Sequence, residues 1–81
     1  MYKQGIYEHY KGNRYELIGI ANHSETLEKM VVYRALYGEG ELWVRPASMW
    51  DETVISDGRE VKRFRYICPP EEYIEESEGV L

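Results

Sequence analysis

Along the first 67 residues, apolar positions alternate with polar ones or form short runs bounded by turn residues. That pattern reads as strands with little room for a long helix. Residues 5–10 (GIYEHY) lead into Lys11, Gly12 and Asn13, a turn cluster in which Gly and Asn accept left-handed dihedrals. Arg14–Asn22 (RYELIGIAN) is rich in apolar residues on both faces, as expected of a strand central to a small barrel. The polar stretch at residues 23–28 (HSETLE) predicts a hairpin loop, and residues 29–37 (KMVVYRALY) the strongest strand, centred on Val31, Val32 and Tyr33. Gly38, Glu39 and Gly40 turn the chain into Leu42–Pro46, where the proline closes the strand or puts it at an edge. Residues 47–53 (ASMWDET) form the one plausible helical turn, with Ser48 as N-cap. Asp57 and Gly58 then mark a hairpin between residues 53–55 and 59–67.

Alternation sorts the side chains into faces. Val31, Tyr33, Ala35 and Tyr37 share one face of the central strand, with Met30, Val32, Arg34 and Leu36 on the other. In the next strand Trp43 and Arg45 lie opposite Leu42 and Val44, and near the end Arg63 and Arg65 alternate with Phe64 and Tyr66. Five or six short antiparallel strands joined by tight loops predict an all-β fold closed on itself, which removes the open edges of so small a sheet. Short loops favour an SH3-like barrel over an OB-like one. Residues 1–67 are expected to form that barrel and residues 68–81 an acidic C-terminal tail.

Charge sharpens that division. The formal net charge of -5 hides an even body: residues 1–67 hold all ten Lys and Arg against ten Asp and Glu. The surplus comes from Glu71, Glu72, Glu75, Glu76 and Glu78, beyond the break at Pro69 and Pro70. The tail is expected to be solvated, or to form a short helix with Tyr73, Ile74 and Ser77 on one stripe, or to cover a basic groove. The lone Cys68 allows no internal disulfide and, with no apolar leader or span, fits a reducing cytoplasmic setting.

The inventory of chemistry is thin. The seven glycines are scattered through turns rather than gathered in a phosphate loop, and no motif orients a base toward Cys68. His9 and His23, with Glu25 nearby, have no recognised ligand spacing, so neither metal nor cofactor is expected. The nine-residue strand between their loops also sets His9, Tyr10 and Lys11 apart from His23 and Glu25. Eight Tyr and two Trp against one Phe point instead to binding, because such rings combine flat apolar area with a polar tip. The candidate ligand-binding set is Tyr10, Lys11, Tyr33, Arg34, Tyr37, Trp43, Arg45 and Arg63, with His9, His23 and Glu25 as secondary candidates. The competing reading fills the core with the Tyr rings and pairs the arginines with Glu8, Glu16 or Glu60.

Several strings carry a resemblance: residues 9–12 (HYKG) with Tyr15, residues 23–26 (HSET), residues 32–34 (VYR), residues 36–38 (LYG), Leu42–Pro46 (LWVRP) with Met49, Asp57 with Gly58, and Arg63 with Phe64. Together they resemble the bacterial family designated domain of unknown function 1653, over roughly residues 5–67. The resemblance implies a small SH3-type barrel, usually a stand-alone chain, with no assigned activity. Lys62 stands where that family is expected to carry Pro, and Trp50 where it carries Phe.

These readings rank three functions. First is a non-catalytic module that recognises a protein or peptide segment through a Tyr, Trp and Arg surface. Second is binding of single-stranded nucleic acid by the neutral body, masked by the acidic tail. Third is a small-metabolite or enzymatic site using His9 or His23. No membrane association is expected, and the chain is a monomer, or a homodimer paired through Val54 and Ile55 or an edge near Pro46.

Overall fold

Among the described residues the β-rich pattern resolves into seven strands: β1 (Gly5–His9), β2 (Arg14–Asn22), β3 (Lys29–Ala35), β4 (Leu42–Pro46), β5 (Thr53–Ser56), β6 (Arg59–Lys62) and β7 (Phe64–Cys68). This is a computed structural model, and it describes residues 2–73. Two short 3-10 turns, Ala47–Met49 and Pro70–Glu72, complete the described elements. No helix among the described residues is long and apolar enough to cross a membrane.

The strands pair antiparallel into a five-stranded sheet of order β4-β3-β2-β1-β7 and a separate β5-β6 hairpin. The expected closure into one barrel is therefore not found. β4 and β7 are the two edges of the larger sheet, and no ladder among the described residues joins them. The reason lies in the chain between them. Pro46 ends β4 without a donor, and the 3-10 turn lifts the backbone out of the sheet. The strand-forming residues that follow then pair with one another. Asp57 (φ 55°) and Gly58 (φ 76°) both adopt the left-handed region, the type I′ geometry that an Asp-Gly pair favours. Arg63 breaks the run at residues 59–67 into β6 and β7, so the strand count rises to seven. Its backbone also ties the two sheets together: the Arg63 N–H donates to the Glu52 carbonyl (2.8 Å), and its own carbonyl accepts from Tyr10 N–H (3.0 Å).

The core lies on one face of the large sheet. Tyr7, Leu17, Val31, Tyr33 and Phe64 point into it, covered by Ala47 and Trp50 from the 3-10 turn and the residue after it. Ser48 makes no cap; the residue before the turn is Pro46, with no side-chain hydrogen bond. The turn instead delivers Trp50, whose indole stacks flat on the Phe64 ring at 3.8 Å and 4°. Tyr7 and Tyr33 meet the indole edge-on at 5.3 and 5.0 Å. Tyr2, Tyr15 and Tyr66 pack around this group. Most of the tyrosine excess thus fills and rims the core. The described part of the acidic segment is the turn at Pro70–Glu72 and Tyr73; the stripe expected at Ile74 and Ser77, and Glu75, Glu76 and Glu78, lie outside the described residues.

β1 sits between β2 and β7, and its first residue is held by close contact. A Cβ on Gly5 (φ +146°) would meet the Cys68 carbonyl oxygen at 2.7 Å and the Tyr66 ring at 2.8 Å. The β1–β7 register shifts immediately after, between Ile6 and Tyr7.

Candidate functional site

The candidate residues fall into three places rather than one. Tyr33 leaves the surface set altogether: its side chain is 7% exposed and belongs to the core. Tyr37, expected on the same face, lies beyond the end of β3 in the β3–β4 loop, exposed, with its hydroxyl 2.9 Å from that of Tyr15. Burial and this contact push the Tyr15 hydroxyl up to about 12.

The first place is the free edge of the sheet. Tyr33 pairs with Trp43 and Val31 with Arg45, so Trp43 and Arg45 share the core-side face, as alternation predicts. At an edge strand that face is only half covered: Trp43 remains 49% exposed, while Leu42 and Val44 on the outer face are 63% and 60% exposed. Beside Trp43, the residues Ala35, Tyr37, Glu39 and Glu41 line a shallow depression of about 230 Å³. The Ala35 N–H donates to the Glu41 carbonyl (3.0 Å). Because hydrogen-bonded and non-bonded pairs alternate in an antiparallel ladder, Trp43 and Arg45 bond inward to β3. The N–H and C=O groups of Leu42 and Val44 then point away from the sheet. Leu42 and Val44 are the residues sequence reasoning missed here. Alternation places them on one face, but only strand order shows that no described strand pairs beside them.

The second place is a cleft of about 460 Å³ between the β1–β2 turn and the β5-β6 hairpin. His9, Tyr10, Val61, Lys62, Glu8 and Arg65 are among its lining residues. The His9 and Tyr10 rings lie 4.6 Å apart, and the Lys11 ammonium is 5.8 Å from the Tyr10 ring. The His9 Nδ1 accepts the Lys11 backbone N–H at 3.1 Å, which closes the turn and requires that nitrogen to be unprotonated. Burial, then the nearby Arg63, Arg45 and Lys11, holds the His9 imidazole below its ordinary value. Because the folded state resists the proton, the unfolded chain binds it more readily. Stability is thus fully present above the ordinary histidine value near 6.5 and is lost as pH falls below it. Urea unfolding at pH 7.5 and 5.5 is expected to show this loss, and His9→Asn, which keeps an acceptor for the turn, to reduce it. An unchanged difference between the two pH values in the variant would remove His9 from this role.

The third place is the β2–β3 loop, at the other end of β2. His23 Nδ1 accepts from the N–H groups of Glu25 (3.1 Å) and Thr26 (3.3 Å), so this histidine closes its own loop. Glu25 is exposed. Among the described residues no group of three or more His, Cys, Asp and Glu side chains could hold a metal ion.

The arginines divide sharply. Arg34 meets Glu16 directly across β2 and β3 (2.6 Å), and Arg63 meets Glu52 (3.0 Å). Glu8 faces two cross-strand partners, Arg65 at 2.5 Å and Arg14 at 3.7 Å. The pairings expected for Glu8 and Glu16 are present, and Glu52 takes the place considered for Glu60. Each such surface pair contributes about 0.2–1 kcal/mol, so they set register more than stability. Arg45 makes no ion pair among the described residues. Its guanidinium lies 5.7 Å from the Phe64 ring, and its Nε is buried without a hydrogen-bond partner.

Against known proteins, a profile described as "Protein of unknown function (DUF1653)" matches residues 5–66. The fold is similar to the crystal structure of a DUF1653 protein from Bordetella bronchiseptica, with a TM-score of 0.78 and 36% sequence identity over 84% of this chain and 90% of that one. No curated protein matches the chain. On sequence and on structure alike, the chain belongs to the DUF1653 family of proteins of unknown function.

Proposed function

We propose that the chain is a non-catalytic binding module that takes an extended protein segment along the open edge of β4. The observation that carries this reading is the edge itself. Leu42, Trp43 and Val44 are consecutive, apolar and largely exposed, beside outward backbone groups that no described strand engages. Long apolar edges are a liability that proteins blunt with charge or proline, and here only Glu41 just before the strand and Arg45 and Pro46 at its end do so. Recognition by strand addition uses such a surface: main-chain hydrogen bonds supply affinity, and alternate side chains supply selectivity. Trp43, with Tyr37 beside the same depression, offers the aromatic anchor common at binding hot spots. The strand order and the 3-10 turn after β4 support reading the fold as an SH3-like barrel left open at this edge.

The single-stranded nucleic-acid reading has less support. Arg14, Arg34, Arg63 and Arg65 are each paired with a carboxylate, and residues 1–67 carry as many acidic as basic side chains, so the body has no basic surplus to meet a phosphate backbone.

A display library of linear ten-residue peptides tests the proposal. Selection is expected to enrich sequences with alternating apolar residues that protect the Leu42 and Val44 amides from hydrogen exchange. Trp43→Ala should weaken them by at least about tenfold, in keeping with an aromatic hot spot. Tyr10→Ala, in the separate cleft, should leave them unchanged. Enrichment of nothing, or of peptides indifferent to Trp43, would overturn the proposal.

A further inference from the structure

We infer that the extended segment is β4 of a second copy of this chain, paired antiparallel about a two-fold axis centred on Trp43. This inference rests on the edge-binding reading above and names its partner.

The strand is complementary to itself in one register. With Trp43 opposite the partner's Trp43, Leu42 falls opposite the partner's Val44, and Val44 opposite the partner's Leu42. The outward N–H and C=O groups of Leu42 and Val44 are those left free by the alternation that sends Trp43 and Arg45 inward to β3. In this register they form four hydrogen bonds across the axis, and none of the eight participating groups is left over. On the outer face each half-exposed Leu42 then covers a Val44. On the core-side face the two indoles cover each other.

Charge selects the same register. Two positions from the axis, Arg45 lies opposite the partner's Glu41, twice by symmetry. Arg45 has no ion pair among the described residues and a buried Nε without a partner; Glu41 is exposed and forms no ion pair among them either. The single unpaired arginine of the core-side face thus meets the carboxylate it lacks. One step further, Pro46 has no N–H to offer and ends the ladder. The neighbouring register, centred on Val44, fails on both counts. It sets Leu42 against the donorless Pro46 of the partner and leaves Arg45 opposite Trp43.

A single pair of short strands falls below the roughly 1,000 Å² of a stable interface, so association is concentration-dependent, with a dissociation constant on the order of micromolar or weaker. Sedimentation equilibrium of the full chain from micromolar to millimolar concentration tests it. The expected result is reversible dimer formation with slowed hydrogen exchange at the Leu42 and Val44 amides. Glu41→Arg sets two like-charged pairs across the axis and should weaken association by about tenfold or more. Arg45→Glu should do the same, and an equimolar mixture of the two variants should re-associate, because both pairs are then complementary. Circular dichroism of each variant alone reports its folding; should Arg45→Glu not fold, loss of association in Glu41→Arg and its partial recovery at high salt, where the like-charge repulsion is screened, decide the matter alone. A chain that stays monomeric to millimolar concentration, while library peptides still protect Leu42 and Val44, overturns the self-partner and leaves the edge-binding reading standing. A monomer that also binds no peptide overturns both. A dimer indifferent to the charge reversals overturns this register.

Discussion

Replacing Trp50 with Ala is expected to cost about 3–5 kcal/mol, the range for emptying a buried aromatic site. The indole is 1% exposed, lies flat on Phe64 at 3.8 Å, and is met edge-on by Tyr7 and Tyr33. Truncation therefore opens a cavity in the middle of the core, among rings that have no other element to close on. A domain of 81 residues carries a net stability of roughly 4–12 kcal/mol, so the loss is a large share of the whole. The expected readout is a fall in melting temperature of at least about 12 °C, with loss of the near-ultraviolet aromatic dichroism. Trp50→Phe is the control. It keeps an aromatic ring over Phe64 and removes the buried Nε1, which has no hydrogen-bond partner among the described residues, so its cost should be smaller. A Trp50→Ala chain that melts with the wild type would mean that the 3-10 turn does not cap the core.

The second large effect is expected at Gly5→Ala. Two costs add at this position. Holding a side chain at a φ of +146° contributes about 1–3 kcal/mol of backbone strain. The clash of the new Cβ with the Cys68 carbonyl and the Tyr66 ring contributes about 1–3 kcal/mol more, because the carbonyl is backbone of the neighbouring strand and cannot swing away. Gly12→Ala separates the two costs, since it also has positive φ (+110°) but nothing within 4 Å of the added Cβ. Urea unfolding should place Gly5→Ala well below Gly12→Ala, with exchange protection lost first along β1 and β7. Equal midpoints would show that strain alone matters and that β7 yields to the intruding methyl.

How far the sequence reaches is clearest where one residue type has one local meaning. Asp57 and Gly58 specify their turn because few other residues tolerate two successive positive φ values, and the hairpin forms as expected. Arg14–Asn22 and Leu42–Pro46 are legible to the residue because turn-formers bound them. The direction a strand faces is harder. On β3 both alternate sets, Val31, Tyr33 and Ala35 against Met30, Val32 and Arg34, are apolar enough to be inside, and only pairing with Leu17 on β2 fixes Tyr33 inward. Trp50 is illegible for another reason. It stands alone in a short polar stretch with no period, and its importance depends on Phe64, fourteen positions on, arriving beneath it. The candidate surface suffers the same limit. Trp43 and Arg45 are found by type and alternation, whereas the availability of Leu42 and Val44 is a property of strand order, and strand order depends on residues far along the chain.

The placement of β7 beside β1 has a consequence for how the chain acquires its structure. β1 through β4 are joined by successive local hairpins and need only neighbouring segments to meet. Phe64, which seats Trp50, arrives on a strand that pairs with residues 6–9, so this closure spans nearly the whole described chain. Such non-local closure comes late and slows folding. During synthesis the first four strands can pair while their aromatic face waits uncovered. The core is completed only once β7 has left the ribosome, so protection from aggregation waits until all of residues 5–68 have emerged.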